Sequence, residues 1–333
     1  MRVLWTHNFD PAIPNNLVYV EKAAKAVGAR NVDLHIEYLG NLRSFPQLLR
    51  ARSWVRKEAR KFDLVHAQYG SACAIATAAA VGVPKVLTLR GSDWNTNKSL
   101  FPLSNLHTRL ASAFTKAALK RYDCVIPVSR RVAGELTRIA PDTYMSVIPS
   151  PVDLSQFVPI DRKQAKAKLG FPDCSEKWVL FNALDLRNPI KRFDLAKKAF
   201  EAAHSMHGNL RLRLATDLPH ELVPLFVAAC DVILCTSENE GWPNSIKEAL
   251  ACNVPFVSTD VSDLRDIAHD EPSCRVCAAD AGLLARNLCE VVTGPAPENL
   301  RHHVVGMSLE TIGGQLASTY QAVLARYRGG RSS

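Results

Sequence analysis

Asp231-Val-Ile-Leu-Cys-Thr-Ser-Glu-Asn-Glu-Gly-Trp-Pro-Asn-Ser-Ile-Lys-Glu-Ala-Leu250 is the stretch whose reading decides the fold. Its apolar run, Val232–Cys235, lacks polar alternation, as expected of a strand buried on both faces. A polar loop follows, and the pattern predicts a helix beginning near Pro243, because a proline's missing N–H would be unpaired in a first helical turn anyway. Gly241 allows the loop backbone to come close to a ligand. A buried strand, a loop and a helix in that order form the repeating unit of a parallel sheet covered on both faces.

Outward from this stretch the unit recurs along the chain. In the second half of the chain, strands are predicted at Trp178–Ala183, Leu210–Leu214, Phe256–Ser258 and Arg275–Cys277, with a helix at Arg192–His204. In the first half the strands are Arg2–His7, Val32–Tyr38, Leu64–Ala67, Lys85–Leu89 and Cys124–Pro127, with Met145–Ile148 as the last. Helical patterns at Leu17–Val27, Ser71–Val81, Leu106–Arg121 and Arg130–Ile139 separate most of them. The series breaks at Ser150-Pro-Val-Asp153, with Pro159 close behind. The fold class is therefore α/β. A first doubly wound domain is expected over 1–152 and a second over 153–308. Two such domains facing each other would place a ligand cleft at the C-terminal ends of both sheets.

The loop and helix of the opening stretch carry the candidate chemistry. The N–H groups of Asn244 and Ser245, together with the positive end of the helix dipole, make a site for a diphosphate. Glu240 lies in the loop and Glu248 about one and a half turns into the helix. Carboxylates so placed can take hydroxyls at opposite ends of a nucleotide sugar. Taken alone, the spacing fits equally well a strand–loop–helix with two solvated glutamates.

Bulk composition narrows the class. The 333 residues are 47% hydrophobic and 22% charged, which suits a globular protein with a full core. No stretch approaches the roughly 18 apolar residues of a membrane span; the longest, Ala72–Val81, is too short. Met1-Arg-Val-Leu-Trp5 enters a strand directly and lacks the layout of a signal peptide, so a cytoplasmic location is expected. Nine cysteines fall mostly inside predicted strands and helices and form no disulfide framework. Cys274 and Cys277 have no second pair nearby and read as buried strand residues.

The net charge of +9 is unevenly placed: residues 1–150 hold 21 Lys and Arg against 10 Asp and Glu, and the remainder 20 against 22. A basic first half points to an anionic partner there, whether nucleic acid, an acidic substrate or anionic lipid. No helix-turn-helix, zinc site or aromatic–basic platform supports nucleic acid. Between Arg43 and Lys61, seven basic residues oppose only Glu58, with Leu48, Leu49, Ala51, Trp54, Val55 and Ala59 interleaved at roughly helical spacing. Such a helix can lie on an anionic bilayer, or simply cover the sheet with its arginines solvated.

The chain resembles glycosyltransferase family 4, and the resemblance runs along nearly its whole length in order. Asp231–Ser237, Glu240-Gly241 and Glu248-Ala-Leu-Ala251 match the strand–loop–helix signature of that family, and Val254–Thr259 its next strand. Asp63–Ala67, Val86–Asp93, Val128-Ser129 and Ile148–Asp153 with Phe157 and Pro159 match earlier segments. The resemblance implies the GT-B fold, two facing Rossmann-like domains with an interdomain cleft. It also implies that the C-terminal helix, about 309–328, packs back on the first domain. By it, Glu240 would sit beside the donor sugar and Glu248 would hold the ribose. Lys191, in Asn188-Pro-Ile-Lys-Arg-Phe-Asp194, would neutralise the donor diphosphate. The turn Gly241-Trp242-Pro243-Asn244-Ser245 would line the donor.

The sequence also departs from the family pattern. The arginine that usually follows the first strand of the second domain is missing, leaving Arg187 or Arg192 to supply a second cation. Pro14-Asn15-Asn16 replaces the glycine pair that approaches the donor. Arg90 stands where relatives have histidine, either binding an anionic group of donor or acceptor or pairing with Asp93. His66 reads as structural, and His302-His303 is discounted as a metal site because adjacent helical residues point apart. No Asp-x-Asp pair is present, so no metal or other cofactor is expected, with Lys191 and the helix N-terminus in its place. The implied activity is retaining transfer from a nucleoside diphosphate sugar to a glycan or lipid-linked acceptor, in bacterial cell-surface polysaccharide or glycolipid synthesis. The implied place is the inner face of the plasma membrane, with the anionic surface as a partner. A catalytically silent GT-B subunit and a GT-B sugar-nucleotide epimerase are the alternatives.

Overall fold

The computed structural model describes residues 1–13, 17–91, 93, 102–172, 175–183, 185–216 and 218–330. The chain divides into two compact units, Met1–Pro151 with Leu309–Ser333, and Val152–Ser308.

The first unit runs β1 (Arg2–His7), α1 (Val18–Gly28), β2 (Asp33–Tyr38), α2 (Phe45–Glu58), β3 (Leu64–Ala67), α3 (Ser71–Thr77), β4 (Lys85–Leu89), α4 (Pro102–Leu119), β5 (Cys124–Pro127) and α5 (Arg130–Thr137). All its strands pair parallel in the order β2-β1-β3-β4-β5. Every residue of β3 and β5 is buried, which is why these runs lack polar alternation. Successive side chains leave the sheet on opposite faces. Leu4, Val65, Leu87 and Val125 join one core with Leu48, Ala51 and Val55 of α2. Trp5, Leu64, Val86 and Ile126 join the other, with Val20 and Val27 of α1 and Ile312, Leu316 and Tyr320 of the C-terminal helix. A Cβ on Gly313 would run into the Ala26 carbonyl, so glycine is what lets that helix lie close against α1.

Met145–Ile148 does not form a sixth strand. It runs beside β5 with Ser146 and Ile148 donating to Val125 and Pro127, yet only an isolated bridge at Val125 and Met145 results. Pro127 has no N–H to continue the ladder.

The second unit runs α6 (Arg162–Lys168), β6 (Lys177–Phe181), α7 (Phe193–His207), β7 (Leu210–Leu214), α8 (Val223–Ala228), β8 (Val232–Cys235), α9 (Asn244–Ala251), β9 (Phe256–Thr259), α10 (Leu264–Asp270), β10 (Arg275–Cys277), α11 (Ala281–Thr293) and α12 (His302–Val305). The chain then returns to the first unit as α13 (Leu309–Gly329). The parallel order is β10-β9-β8-β6-β7. In both sheets the first and third strands are neighbours, and strand order reverses between them. Such a switch point leaves a crevice outside the strands' C-terminal ends. In the second unit that position lies beyond β6 and β8, where the loops carrying Lys191 and Glu240 begin.

Candidate donor site

The two loops meet. Lys191 ends a short 3-10 turn, Pro189–Lys191, whose start is capped by the Asn188 side chain accepting from the Ile190 amide. Its Nζ lies 2.5 Å from Glu240 Oε1, and Ser237 Oγ donates to the same oxygen at 2.8 Å. Burial opposes the lysine charge, but Glu240 and Cys235 outweigh it, and Lys191 is held above the usual lysine range. The loops are also bound by their backbones. Glu238 N donates to Ile190 O at 2.8 Å, and Thr236 Oγ1 to the carbonyls of Lys191 and Arg192 at 2.8 and 3.0 Å.

Arg192 sits in the left-handed region, with φ of 51°, at the N-cap of α7. A non-glycine residue there costs about 1–2 kcal/mol, and the Thr236 hydroxyl on its carbonyl helps hold it. On the far side of the Glu240 loop, Thr259 Oγ1 donates to Ser237 O at 2.6 Å and Ser262 Oγ to Gly241 O at 2.6 Å. Glu240 is thus placed by a loop fastened at several points, as charge stabilisation without reorganisation requires.

Helix α9 starts at Asn244, with Pro243 at the N-cap rather than inside the first turn, and no side chain caps it. Among the described residues no N-cap side chain therefore takes its first-turn N–H groups, which carry the positive end of the helix dipole. Ile246, Lys247, Ala249 and Leu250 are buried, while Asn244, Ser245 and Glu248 are not. Residues three and four apart share a helix face, so Glu248 stands on the same stripe as the two N-terminal residues. Trp242 and Pro243 are buried, Trp242 at 8% exposure, so their side chains form the base of the turn. Lys247, in the same helix, is fully buried with its Nζ 5.7 Å from the Trp242 ring.

The two candidates for the second cation differ. Arg187 is 90% exposed and paired with Asp185, Nε to Oδ1 at 3.0 Å. Arg192 directly follows Lys191 and shares its fastening to Thr236. Asn15 and Asn16 lie outside the described residues.

In the first unit, Arg90 is held by its own surroundings. Nε donates to Gln68 O at 3.0 Å, Nη2 to Gln68 Oε1 at 3.1 Å and Nη1 to Ser150 Oγ at 2.7 Å. Asp93 meets it through the backbone instead, accepting from the amides of Arg90, Gly91 and Gly70. His66 is fully buried, with Nδ1 2.6 Å from Tyr320 Oη and Nε2 2.7 Å from Thr88 Oγ1. Burial, aided by the Arg90 charge, lowers its pKa to about 3, so it stays neutral. Among the described residues all eight cysteines are free, and burial pushes each thiol up. That disfavours redox chemistry at Cys274 and Cys277.

Sequence reading passed over the hydroxyls of Thr236, Ser237, Thr259 and Ser262 that hold the Glu240 loop. The available signal was their clustering at the C-terminal ends of β8 and β9. The reason given for discounting His302-His303 also fails. In the four-residue α12 their rings lie 3.8 Å apart and both approach Glu271.

Comparison with known proteins agrees with this architecture. A profile for Glycosyltransferase Family 4 matches residues 3–156, and one for glycosyl transferases group 1 matches residues 186–293. The 2-deoxystreptamine N-acetyl-D-glucosaminyltransferase of Streptomyces fradiae is 27% identical over 281 residues, covering 74% of this chain and 65% of that protein. The chain thus spans slightly less than two thirds of that relative. Sucrose-phosphate synthase from Thermosynechococcus elongatus superposes with a TM-score of 0.76 at 17% identity, covering 98% of this chain and 100% of that one. HepE from Anabaena, in complex with UDP-glucose, gives 0.69 at 15% identity over 97% and 100%. The structural likenesses establish the fold. With one profile on each of its two sheets, the chain belongs to the family 4, group 1 glycosyltransferases of GT-B fold.

Proposed function

We propose that this chain transfers one glycosyl unit, with retention of configuration, from a nucleoside diphosphate sugar to a glycan or lipid-linked acceptor. The observation that carries the reading is the Lys191–Glu240 pair, fastened beside the uncapped N-terminus of α9. The bond between the anomeric carbon and the diphosphate oxygen breaks, and a bond from the acceptor oxygen forms on the same face. The acceptor proton passes to the departing phosphate, so no carboxylate is needed as base. Negative charge grows on the leaving group, and Lys191 with the amides of Asn244 and Ser245 stabilises it there. Glu240 takes hydroxyls of the donor sugar and Glu248 the ribose. Lys191 and the helix N-terminus do the work that a metal does in other transferases.

The test is transfer or slow hydrolysis of UDP- and GDP-sugars in EDTA. Turnover that survives EDTA and disappears in Lys191→Ala supports the proposal. A donor that binds without ever being cleaved would favour a catalytically silent subunit, and epimerised donor a sugar-nucleotide epimerase.

The acceptor reading rests on the first unit. Leu48, Ala51 and Val55 commit the apolar face of α2 to the core, and Trp54 packs against it. What remains outward is Phe45 and Leu49, 69% and 49% exposed, among Arg50, Arg56, Lys57, Arg60 and Lys61. Exposed apolar residues among cations suit a peripheral contact with an anionic leaflet, where a lipid-linked acceptor would be found. No helix among the described residues is long and apolar enough to cross a membrane.

A further inference from the structure

We propose that Glu271, His302 and His303 bind a divalent transition metal ion, Zn²⁺ by chemical preference, at a site separate from the donor residues. Glu271 Oε1 lies 3.1 Å from His303 Nε2 and 4.0 Å from His302 Nε2. All three donor atoms fall within 4.8 Å of one another. A tetrahedral zinc ion with bonds of about 2.0–2.2 Å spaces its ligands roughly 3.3–3.5 Å apart. Small side-chain rotations therefore bring this set to coordination distance.

The tautomer fits. His302 Nδ1 lies 2.5 Å from the Asn299 carbonyl oxygen, which only accepts, so Nδ1 carries the proton. In the neutral ring Nε2 then keeps its lone pair on the Glu271 side, the arrangement of a metal-ligating histidine oriented by a backbone carbonyl. Two imidazoles whose rings lie 3.8 Å apart thus turn their Nε2 atoms to one carboxylate. A cation between them, proton or metal, satisfies all three groups.

The backbone beneath is set in advance. Arg301 donates to the carbonyls of Leu154, Phe157 and Ala251, at 2.6, 2.5 and 2.8 Å. Leu300 N donates to Asn253 Oδ1 at 2.8 Å, and Glu271 N to Ile267 O at the end of α10. Binding would therefore order few new groups. His302 is 53% exposed, which leaves an open side for water as a further ligand. Two imidazoles and one carboxylate favour zinc, nickel or copper over magnesium or calcium. The ion would stitch the end of α10 to α12, the segment through which the chain leaves the second unit.

Tag-free protein, stripped with EDTA and dialysed, would be titrated calorimetrically with Zn²⁺ alongside His302→Ala, His303→Ala and Glu271→Gln. The wild type should bind one equivalent and show a raised Tm, since a ligand held only by the native state stabilises it. Each substitution should weaken binding more than about 100-fold, beyond the loss typical of removing an outer-shell partner. His302 is exposed, so its variant tests the ligand set without threatening the fold. Absence of one-equivalent binding in the wild type would overturn the proposal. So would unchanged binding in His302→Ala, which would place the zinc elsewhere. In that case Glu271 and His303 form an ordinary hydrogen-bonded pair.

Discussion

Lys191 Nζ and Glu240 Oε1 lie 2.5 Å apart although 49 positions separate them in the chain. Their loops leave the C-terminal ends of β6 and β8, adjacent strands on either side of the point where strand order reverses. Chain topology, rather than sequence proximity, makes the pair. Removing either side chain leaves a partly buried charge without its partner and strips the proposed diphosphate site of its organisation.

Lys191→Ala and Glu240→Ala should each lower kcat by about two to three orders of magnitude, the scale of lost transition-state electrostatics. Because Glu240 holds the lysine pKa above its ordinary 10.5, Lys191 stays charged throughout the neutral range. Its deprotonation should therefore give the kcat profile no alkaline limb below about pH 10. The ion pair contributes stability that is fully present below 10.5 and lost as pH rises through the higher folded-state value. Steady-state kinetics against pH checks both; near-normal kcat in Lys191→Ala would remove that residue from the mechanism.

His66 gives a linkage of opposite sense. Its pKa is about 3 in the folded chain against 6.5 for the free side chain, so the unfolded chain takes up a proton that the native state refuses. Its contribution is complete above 6.5 and lost as pH falls towards 3, at up to about 1.4 kcal/mol per pH unit. Urea unfolding between pH 7 and 4 should show this slope reduced by nearly one proton in His66→Asn. Equal slopes in the two proteins would mean that the buried histidine is charged.

The packing of α13 on α1 depends on Gly313. Gly313→Ala places a methyl against the Ala26 carbonyl and should cost about 1–3 kcal/mol, as overpacking does. At Gly314 a Cβ meets nothing, and Gly314→Ala should be neutral or stabilise by up to about 1 kcal/mol through helix propensity. Thermal denaturation of the two variants should move in different directions; a common shift would contradict the contact.

Most of the fold was legible because Val232–Cys235, Cys124–Pro127 and, apart from His66, Leu64–Ala67 are apolar without alternation, a pattern that strands buried on both faces need. Met145–Ile148 is also largely apolar, though it includes Ser146, but lies beside a proline without a donor, a limit that depends on its neighbour. Lys191, Glu240 and Glu248 were legible as a family signature and as chemistry. That Lys191 and Glu240 meet required the strand order. The hydroxyls that fasten the loop were not legible, since Ser and Thr at strand ends are common and their partners are backbone carbonyls distant in sequence. Adjacent histidines diverge on a regular helix; His302 escapes the rule because it stands in the first turn, with Nδ1 turned onto Asn299.

Membrane docking is tested by flotation with anionic liposomes. Arg52 is not the residue to change, because Nη1 donates to Ile75 O at 2.8 Å and the side chain supports the fold. Arg50, Arg56 and Arg60 are exposed, and replacing all three with Glu should release the protein from the vesicles without lowering its Tm by more than a few degrees. Binding of the wild type should fall with salt. Wild-type protein that stays unbound at low salt would assign the basic surface to another partner.

The central claim is that the second unit holds a nucleoside diphosphate sugar between Lys191, Glu240 and the Asn244, Ser245 and Glu248 stripe of α9, and calorimetric titration with UDP- and GDP-sugars tests it most directly. One donor should bind the wild type with a stoichiometry of about one. Glu248→Ala should weaken both the nucleotide and the sugar nucleotide, by roughly 1.5–3 kcal/mol for a lost charge-assisted hydrogen bond. Lys191→Ala should weaken every ligand that carries the diphosphate while leaving the free nucleoside unaffected. Binding of a donor at wild-type affinity by both variants would contradict the account.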